Sequence, residues 1–178
     1  VLTRREKATA KRPRVSALDT ATGSMVRDSP LNLVPATLEA FLQFYQCLWQ
    51  GRYLRPAELE VGRLRNASLV NCTFCKATRF DVARNDGLDE GRAEAALGIN
   101  DSNLQGRDEL IVAWTEQFLL SPSASDKALW EKMTSAFSAA ECVALTAGLA
   151  LFMCFSKFAV AMGGLPDSLP VMISPIPA

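Results

Sequence analysis

The chain has no histidine in its 178 residues. It therefore lacks the one side chain that accepts and returns protons near neutral pH, and any zinc site is deprived of imidazole ligands. Net charge is also missing: 19 Lys and Arg balance 19 Asp and Glu, so bulk charge points to no polyanionic partner. No apolar run is long enough for a bilayer. The longest, from Cys142 to Phe155, is broken only by Thr146 and closely followed by Lys157, and it falls short of the roughly 20 residues a span requires. The expectation is a buried core helix, with no membrane association. Neither a signal peptide pattern nor a convincing strand is visible.

An apolar content of 49% with 21% charged residues is ordinary for a globular domain, and the length suits one core. Cysteine is present in an odd number, five, which implies no disulfide scaffold and suggests a reducing, cytoplasmic setting. Cys47, Cys142 and Cys154 fall in apolar helical patterns and are expected to be buried as small hydrophobes. Charge is uneven at the start: Arg4, Arg5, Lys7, Lys11, Arg12 and Arg14 face one acid, Glu6. Residues 1–30 are expected to form a basic, flexible, solvated arm. No aromatic residue interleaves with these bases, which argues against nucleic-acid binding.

Periodicity is helical nearly throughout. Leu38, Phe41, Leu42, Tyr45, Leu48 and Trp49 make one apolar stripe that ends at Gly51. Pro56 suits the first turn of a second helix running toward Asn71. A third should start near Cys72 and continue to Gly87, and a short fourth should cover Asp89 to Leu97. Further helices are expected from Arg107 to Leu120 and from Asp126 to Phe137. Ser138-Ala139-Ala140-Glu141 reads as a capping box opening a long apolar helix to Met162, stopped by Gly163-Gly164. Residues 166–178, rich in proline, should be extended. The result is one all-α antiparallel domain over residues 31–165.

Cys72-Thr73-Phe74-Cys75 is the motif that carries chemistry. A CxxC can hold zinc or an iron–sulfur cluster, work as a redox dithiol, or do nothing. With no second pair and no histidine, a metal site is not expected. At a helix start, unpaired N–H groups favour a thiolate. If the helix continues, Arg79 shares a face with both cysteines and its cation should lower their pKa values. Glu60, on the preceding helix, reaches the thiols if the two helices pack as a hairpin.

The stretch from Glu60 to Gly87 resembles the AhpD / carboxymuconolactone decarboxylase superfamily: a glutamate, a spacer, C-x-x-C, a polar residue four on, and a Gly-Leu start to the next helix. Leu31 to Trp49 resembles its leading helix. Ala113 to Pro166, with Glu141-Cys142-Val143-Ala144-Leu145-Thr146 and Phe155-Ser156-Lys157-Phe158, resembles its C-terminal helices. The resemblance implies an AhpD-like all-α fold in a homo-oligomer of two to six subunits, and a dithiol peroxidase or disulfide reductase with no bound cofactor. By position, Cys75 would be the peroxidatic thiol, Cys72 the resolving thiol and Glu60 the start of a proton relay. The implied partners are a hydroperoxide or disulfide substrate and a thiol reductant protein or lipoyl-type adaptor.

The chain departs from that pattern where it matters. Arg79 stands where the family's relay has histidine, and arginine does not give up its proton. A base role then falls to Glu60, while thiol–disulfide exchange survives. Arg63 and Asn66 lie on a helix that is mostly apolar in the family, which suggests an altered site lining or subunit contact. The alternatives are a non-catalytic oligomeric binding protein and a lactone decarboxylase-like enzyme using Glu60 and Arg79. Trp49, Trp114, Phe152, Phe155 and Phe158 are candidates for core or for a subunit interface.

Overall fold

The computed structural model describes residues 11–20, 22–51, 53–100, 104–124 and 126–177, so Arg4, Arg5, Glu6 and Lys7 of the expected arm lie outside the described residues. A 3-10 turn at Pro30–Leu33 leads into helix α1 (Pro35–Gln50), followed by α2 (Pro56–Val70), α3 (Thr73–Ala77), strand β1 (Thr78–Phe80), α4 (Asp81–Asn85), α5 (Glu90–Leu97), α6 (Arg107–Leu120), α7 (Lys127–Ala136), α8 (Ala139–Met162) and strand β2 (Met172–Ser174). The helical architecture matches expectation; the two short strands do not. They pair in parallel, Thr78 with Met172, Arg79 with Ile173 and Phe80 with Ser174.

α2 is the hub, because its neighbours cover it on nearly every side. Ala57, Leu59, Val61, Leu64 and Ala67 are buried, but so are Glu58, Glu60, Arg63 and Asn66. A helix with apolar residues all round would need nothing more; this one must satisfy four buried polar side chains. Glu58 pairs with Arg107 at 2.7 Å, Glu60 pairs with Arg63 at 2.6 Å, and Asn66 bonds Ser156 at 3.0 Å. Gly62 lets the packing close. A Cβ there would sit 3.3 Å from both Leu145 and Leu149 on α8 and 3.4 Å from Ile111 on α6.

Aromatic side chains fill the end of the core nearest the cysteines. Trp49 meets Phe80 edge-on at 5.2 Å and Tyr45 meets Phe152 edge-on at 5.8 Å. Trp49 and Phe152 are therefore core residues, while Phe155 and Phe158 are partly buried against Leu38 and Leu42. Trp114 pairs with Trp130 at 5.3 Å and donates from its indole N–H to the Thr146 hydroxyl at 3.0 Å.

Two expectations about burial need correcting. Cys142 is buried, but Cys47 and Cys154 are exposed. The inward set on α1 is Leu38, Leu42, Tyr45 and Trp49, which leaves Cys47 on the other side. α8 is likewise covered on one face only. It runs for 24 residues, by length and composition enough to cross a bilayer, with Val143 69% exposed on its outer side.

The described part of the N-terminal segment lies against the domain. Asp28 accepts from the Thr20 and Thr22 hydroxyls and from the Thr22 and Gly23 backbone N–H groups. The Thr20 hydroxyl, then Thr22, hold its carboxyl at about 2. Arg14 N–H donates to the Met162 carbonyl at 2.7 Å, and Lys11 pairs with Asp167.

The expected capping box is present. Ser138 accepts from Glu141 N–H at 3.3 Å, and Glu141 accepts from Ser138 N–H at 2.7 Å. Arg107 extends it, donating to Glu141 at 2.5 Å, to Glu58 and to the Ala136 carbonyl at 2.7 Å each, with its guanidinium over the Phe137 ring. The Arg107 hydrogen bond, then the Ser138 N–H, hold the Glu141 carboxyl at about 2. A depressed folded pKa contributes stability above the unfolded value of about 4.3, and that contribution is lost as pH falls toward the folded value. Glu141→Ala should cost about 1 kcal/mol at pH 7. Urea denaturation should show the difference from wild type closing between pH 4.3 and 2; a constant difference would contradict the assignment.

Candidate redox site

The cysteine pair sits at the turn between α2 and α3. Asn71 takes a left-handed conformation, φ 56°, as the C-cap of α2. Asparagine tolerates that region better than most residues. The chain reverses there, and Cys72 becomes the N-cap of α3, its sulfur accepting from Cys75 N–H at 3.2 Å. The two sulfurs are bonded, with Cα atoms 5.2 Å apart. Cys72 is fully buried; Cys75 is 5% exposed.

The expected long third helix does not form, and buried guanidinium groups explain why. A continuing helix would engage the carbonyls of Cys75, Lys76 and Thr78 with N–H groups four residues on. Instead Arg63 donates to the Cys75 carbonyl at 2.9 Å and to the Thr78 carbonyl at 2.6 Å. Arg79 donates to the Lys76 carbonyl at 2.6 Å and to the Thr78 carbonyl at 3.0 Å. The backbone turns extended at Thr78–Phe80, and the tail strand pairs with it.

This break corrects the expected place of Arg79. Along a strand successive side chains point to opposite faces. Thr78 and Phe80 line the pocket beside Cys75, and Arg79 does not. Its guanidinium pairs with Glu90 at 2.7 Å, and its Nε has no partner among the described residues. Arg79 thus shares no helical face with Cys72 and Cys75.

The cation at the site is Arg63. Its Nε and Nη2 each donate to a different Glu60 oxygen at 2.6 Å, and its guanidinium carbon lies 4.9 Å from the Phe80 ring centroid. Burial works against the Arg63 cation, but the Glu60 charge and hydrogen bonds prevail, so its pKa is raised. Glu60 also accepts from Phe80 N–H at 3.3 Å. Glu60 is therefore joined to the cysteines through Arg63. Arg63 and Asn66, two of the four buried polar side chains of α2, both belong to the site.

Cys75 lies on the wall of a pocket of about 500 Å3 and Cys72 does not. The pocket walls include Tyr45, Arg63, Phe80, Phe152, Phe155 and Ser156, together with residues 22–27 and 174–177. The buried Tyr45 phenol is held neutral: burial raises its pKa, Arg63 opposes this and Glu60 adds to it. Ser156 donates to the Cys75 sulfur at 3.5 Å. No local sequence signal marks Ser156, Tyr45 or Phe80 as site residues; only the helical register of Tyr45 marks it as inward-facing. Among the described residues, no cluster of three His, Cys, Asp or Glu side chains is placed to hold a metal ion.

Removing Arg63 would leave Glu60 buried and unpaired and free two carbonyls. Arg63→Met should lower stability by about 3–5 kcal/mol, measured by urea denaturation, and adding Glu60→Gln should recover part of the loss. A single-variant cost under about 1 kcal/mol would show that the pair does not hold the turn.

No protein-family model matches the chain, and no curated protein does. A solved structure does: a protein of unknown function from Agrobacterium tumefaciens, named as a candidate antioxidant defence protein AhpD. The two are 19% identical, the match covers 76% of this chain and 94% of that one, and the TM-score is 0.64. The chain has an AhpD-like all-α fold.

Proposed function

We propose that the chain is a cysteine-dependent oxidoreductase that reduces a hydroperoxide or a small disulfide with the Cys72–Cys75 dithiol. The observation that carries this reading is the bonded pair with only its second sulfur on the pocket wall. In the reduced protein, the Cys75 thiolate attacks the terminal oxygen of a hydroperoxide. The O–O bond breaks, Cys75 becomes a sulfenic acid, and the departing alkoxide takes a proton from solvent. Cys72 then attacks the Cys75 sulfur, forming the disulfide and releasing water. An external thiol attacks the Cys75 sulfur through the pocket, and Cys72 leaves as a thiolate. A second thiol frees Cys75, so two thiols become one disulfide. The protein carries both electrons in its own sulfurs, and the cycle needs no bound cofactor.

The pocket supports small reactants over folded proteins as direct partners. Cys75 is 5% exposed, so access to it is through a pocket that residues 22–27 and 174–177 help to line. A thiol on a long arm, such as a lipoyl group, fits that access. Arg79, paired with Glu90, supports neither thiolate stabilisation nor a decarboxylase-like role beside Glu60. A reducing cytoplasm follows from the same chemistry, since the pair must be reset by thiols. Self-association belongs to this reading too, through the outer face of α8 around Val143. Sedimentation of Val143→Glu should show a smaller particle than wild type; equal masses would rule that face out.

Addition of one equivalent of an organic hydroperoxide to the reduced protein should remove two free thiols together. Cys75→Ser should abolish hydroperoxide consumption, and Cys72→Ser should accumulate a sulfenic acid on Cys75 that a dimedone label captures. Arg79→His should not raise the rate, because the side chain pairs with Glu90 and does not line the pocket beside the sulfur. Consumption by Cys75→Ser at the wild-type rate would overturn the reading.

A further inference from the structure

Ser156 is anomalous for a hydroxyl in the interior of a helix. Such side chains usually donate back to the carbonyl four residues earlier. Thr115, Thr134, Ser135 and Thr146 all do so, to Ile111, Trp130, Glu131 and Cys142, at distances of 2.7 to 3.0 Å. Ser156 instead donates across the core to the sulfur of Cys75 at 3.5 Å. It is 3% exposed and follows the apolar run from Leu149 to Phe155 on α8.

A second buried side chain sets the direction of that bond. Asn66 on α2 is fully buried, and its amide donates to the Ser156 oxygen at 3.0 Å. With that lone pair occupied, the hydroxyl proton points to the sulfur. The arrangement leaves Oδ1 of Asn66 without a hydrogen-bond partner among the described residues. An unsatisfied buried acceptor costs stability, and native structures keep such groups few, often at functional positions.

The neighbouring cations do not do this work. Arg63 is matched by Glu60 and reaches only the carbonyl of Cys75, and Arg79 faces Glu90. We infer that Ser156 is a catalytic residue that holds the Cys75 thiolate by a hydrogen bond, and that Asn66 is the positioning residue keeping the Ser156 proton on the sulfur. The inference rests on the redox reading above and supplies what a histidine-free chain otherwise lacks, a donor for the ionised sulfur. No proton leaves Ser156. The hydroxyl contacts the sulfur weakly in the disulfide and strongly once the S–S bond opens and Cys75 carries the negative charge. The reduced dithiol is thereby favoured, and a larger fraction of Cys75 is ionised near neutral pH.

The test is the pH dependence of iodoacetamide labelling at Cys75 in the fully reduced, full-length protein, read by peptide mass spectrometry. Ser156→Ala should raise the apparent pKa of Cys75 by about one unit, the size set by loss of one hydrogen bond to a charged group. Ser156→Thr, which keeps the hydroxyl, should return it toward the wild-type value. Asn66→Leu, which leaves the Ser156 hydroxyl intact but unguided, should give a smaller rise. A merely structural role would move the melting temperature and leave this pH profile alone. An unchanged apparent pKa in Ser156→Ala overturns the inference, as it would if the Asn66 amide were turned over and Ser156 donated to its oxygen. Should Ser156→Ala not fold, the Asn66→Leu profile decides in its place. Hydroperoxide turnover is measured separately. A shifted pKa without turnover in any variant, wild type included, would remove the redox reading and keep the hydrogen bond. Turnover with an unshifted pKa would do the reverse.

Discussion

The buried ion pair between Glu60 and Arg63 is the constraint on which the site depends. Both residues lie on the central helix α2, one turn apart, and both are buried. Such a pair gives little net stability of its own, because desolvation offsets attraction. Its value here lies in what the rest of the guanidinium does. Two further hydrogen bonds from Arg63 take the carbonyls of Cys75 and Thr78. Those bonds end α3 after one turn, fix the cysteine loop against α2 and turn the following residues into a strand. The tail strand then has an edge to pair with, and residues 174–177 reach the pocket.

The same constraint divides the two cysteines. Cys72, at the N-cap, is enclosed and receives the Cys75 N–H, which suits a sulfur that leaves and returns as a thiolate. Cys75, one turn on, faces a pocket walled by aromatic side chains and Ser156. Charge around it is neutralised in place: Arg63 by Glu60, Arg79 by Glu90. An apolar, charge-balanced pocket favours uncharged reactants and leaves a hydroxyl, not a cation, to meet the sulfur.

Local signals in the sequence were good guides to the helices. Ser138 with Glu141, Asp89, Asp126 and Gly163 mark helix ends because a cap acts on backbone groups a few residues away. The CxxC motif and its glutamate were legible for the same reason, as was the oddity of Arg63 and Asn66 on α2. Sequence alone puts Arg79 on the cysteine face because the break before it depends on Arg63, a residue on another helix, together with Arg79 itself, and no helix propensity between Thr73 and Gly87 encodes that. Ser156 was invisible as a site residue because 81 positions separate it from Cys75 and only packing of α8 on α2 brings them together. Cys47 and Cys154 look like core residues in composition, yet each falls on the uncovered side of its helix.

The central claim is that this packing makes Cys75 the reactive sulfur and keeps Cys72 behind it. The most direct measurement is the site distribution of a single substoichiometric alkylation of the reduced protein at neutral pH, resolved by tandem mass spectrometry of the peptide holding both cysteines. The account predicts that the first label falls on Cys75 at least about tenfold more often than on Cys72, in line with the burial difference and the thiolate requirement. Equal labelling, or preference for Cys72, would contradict it.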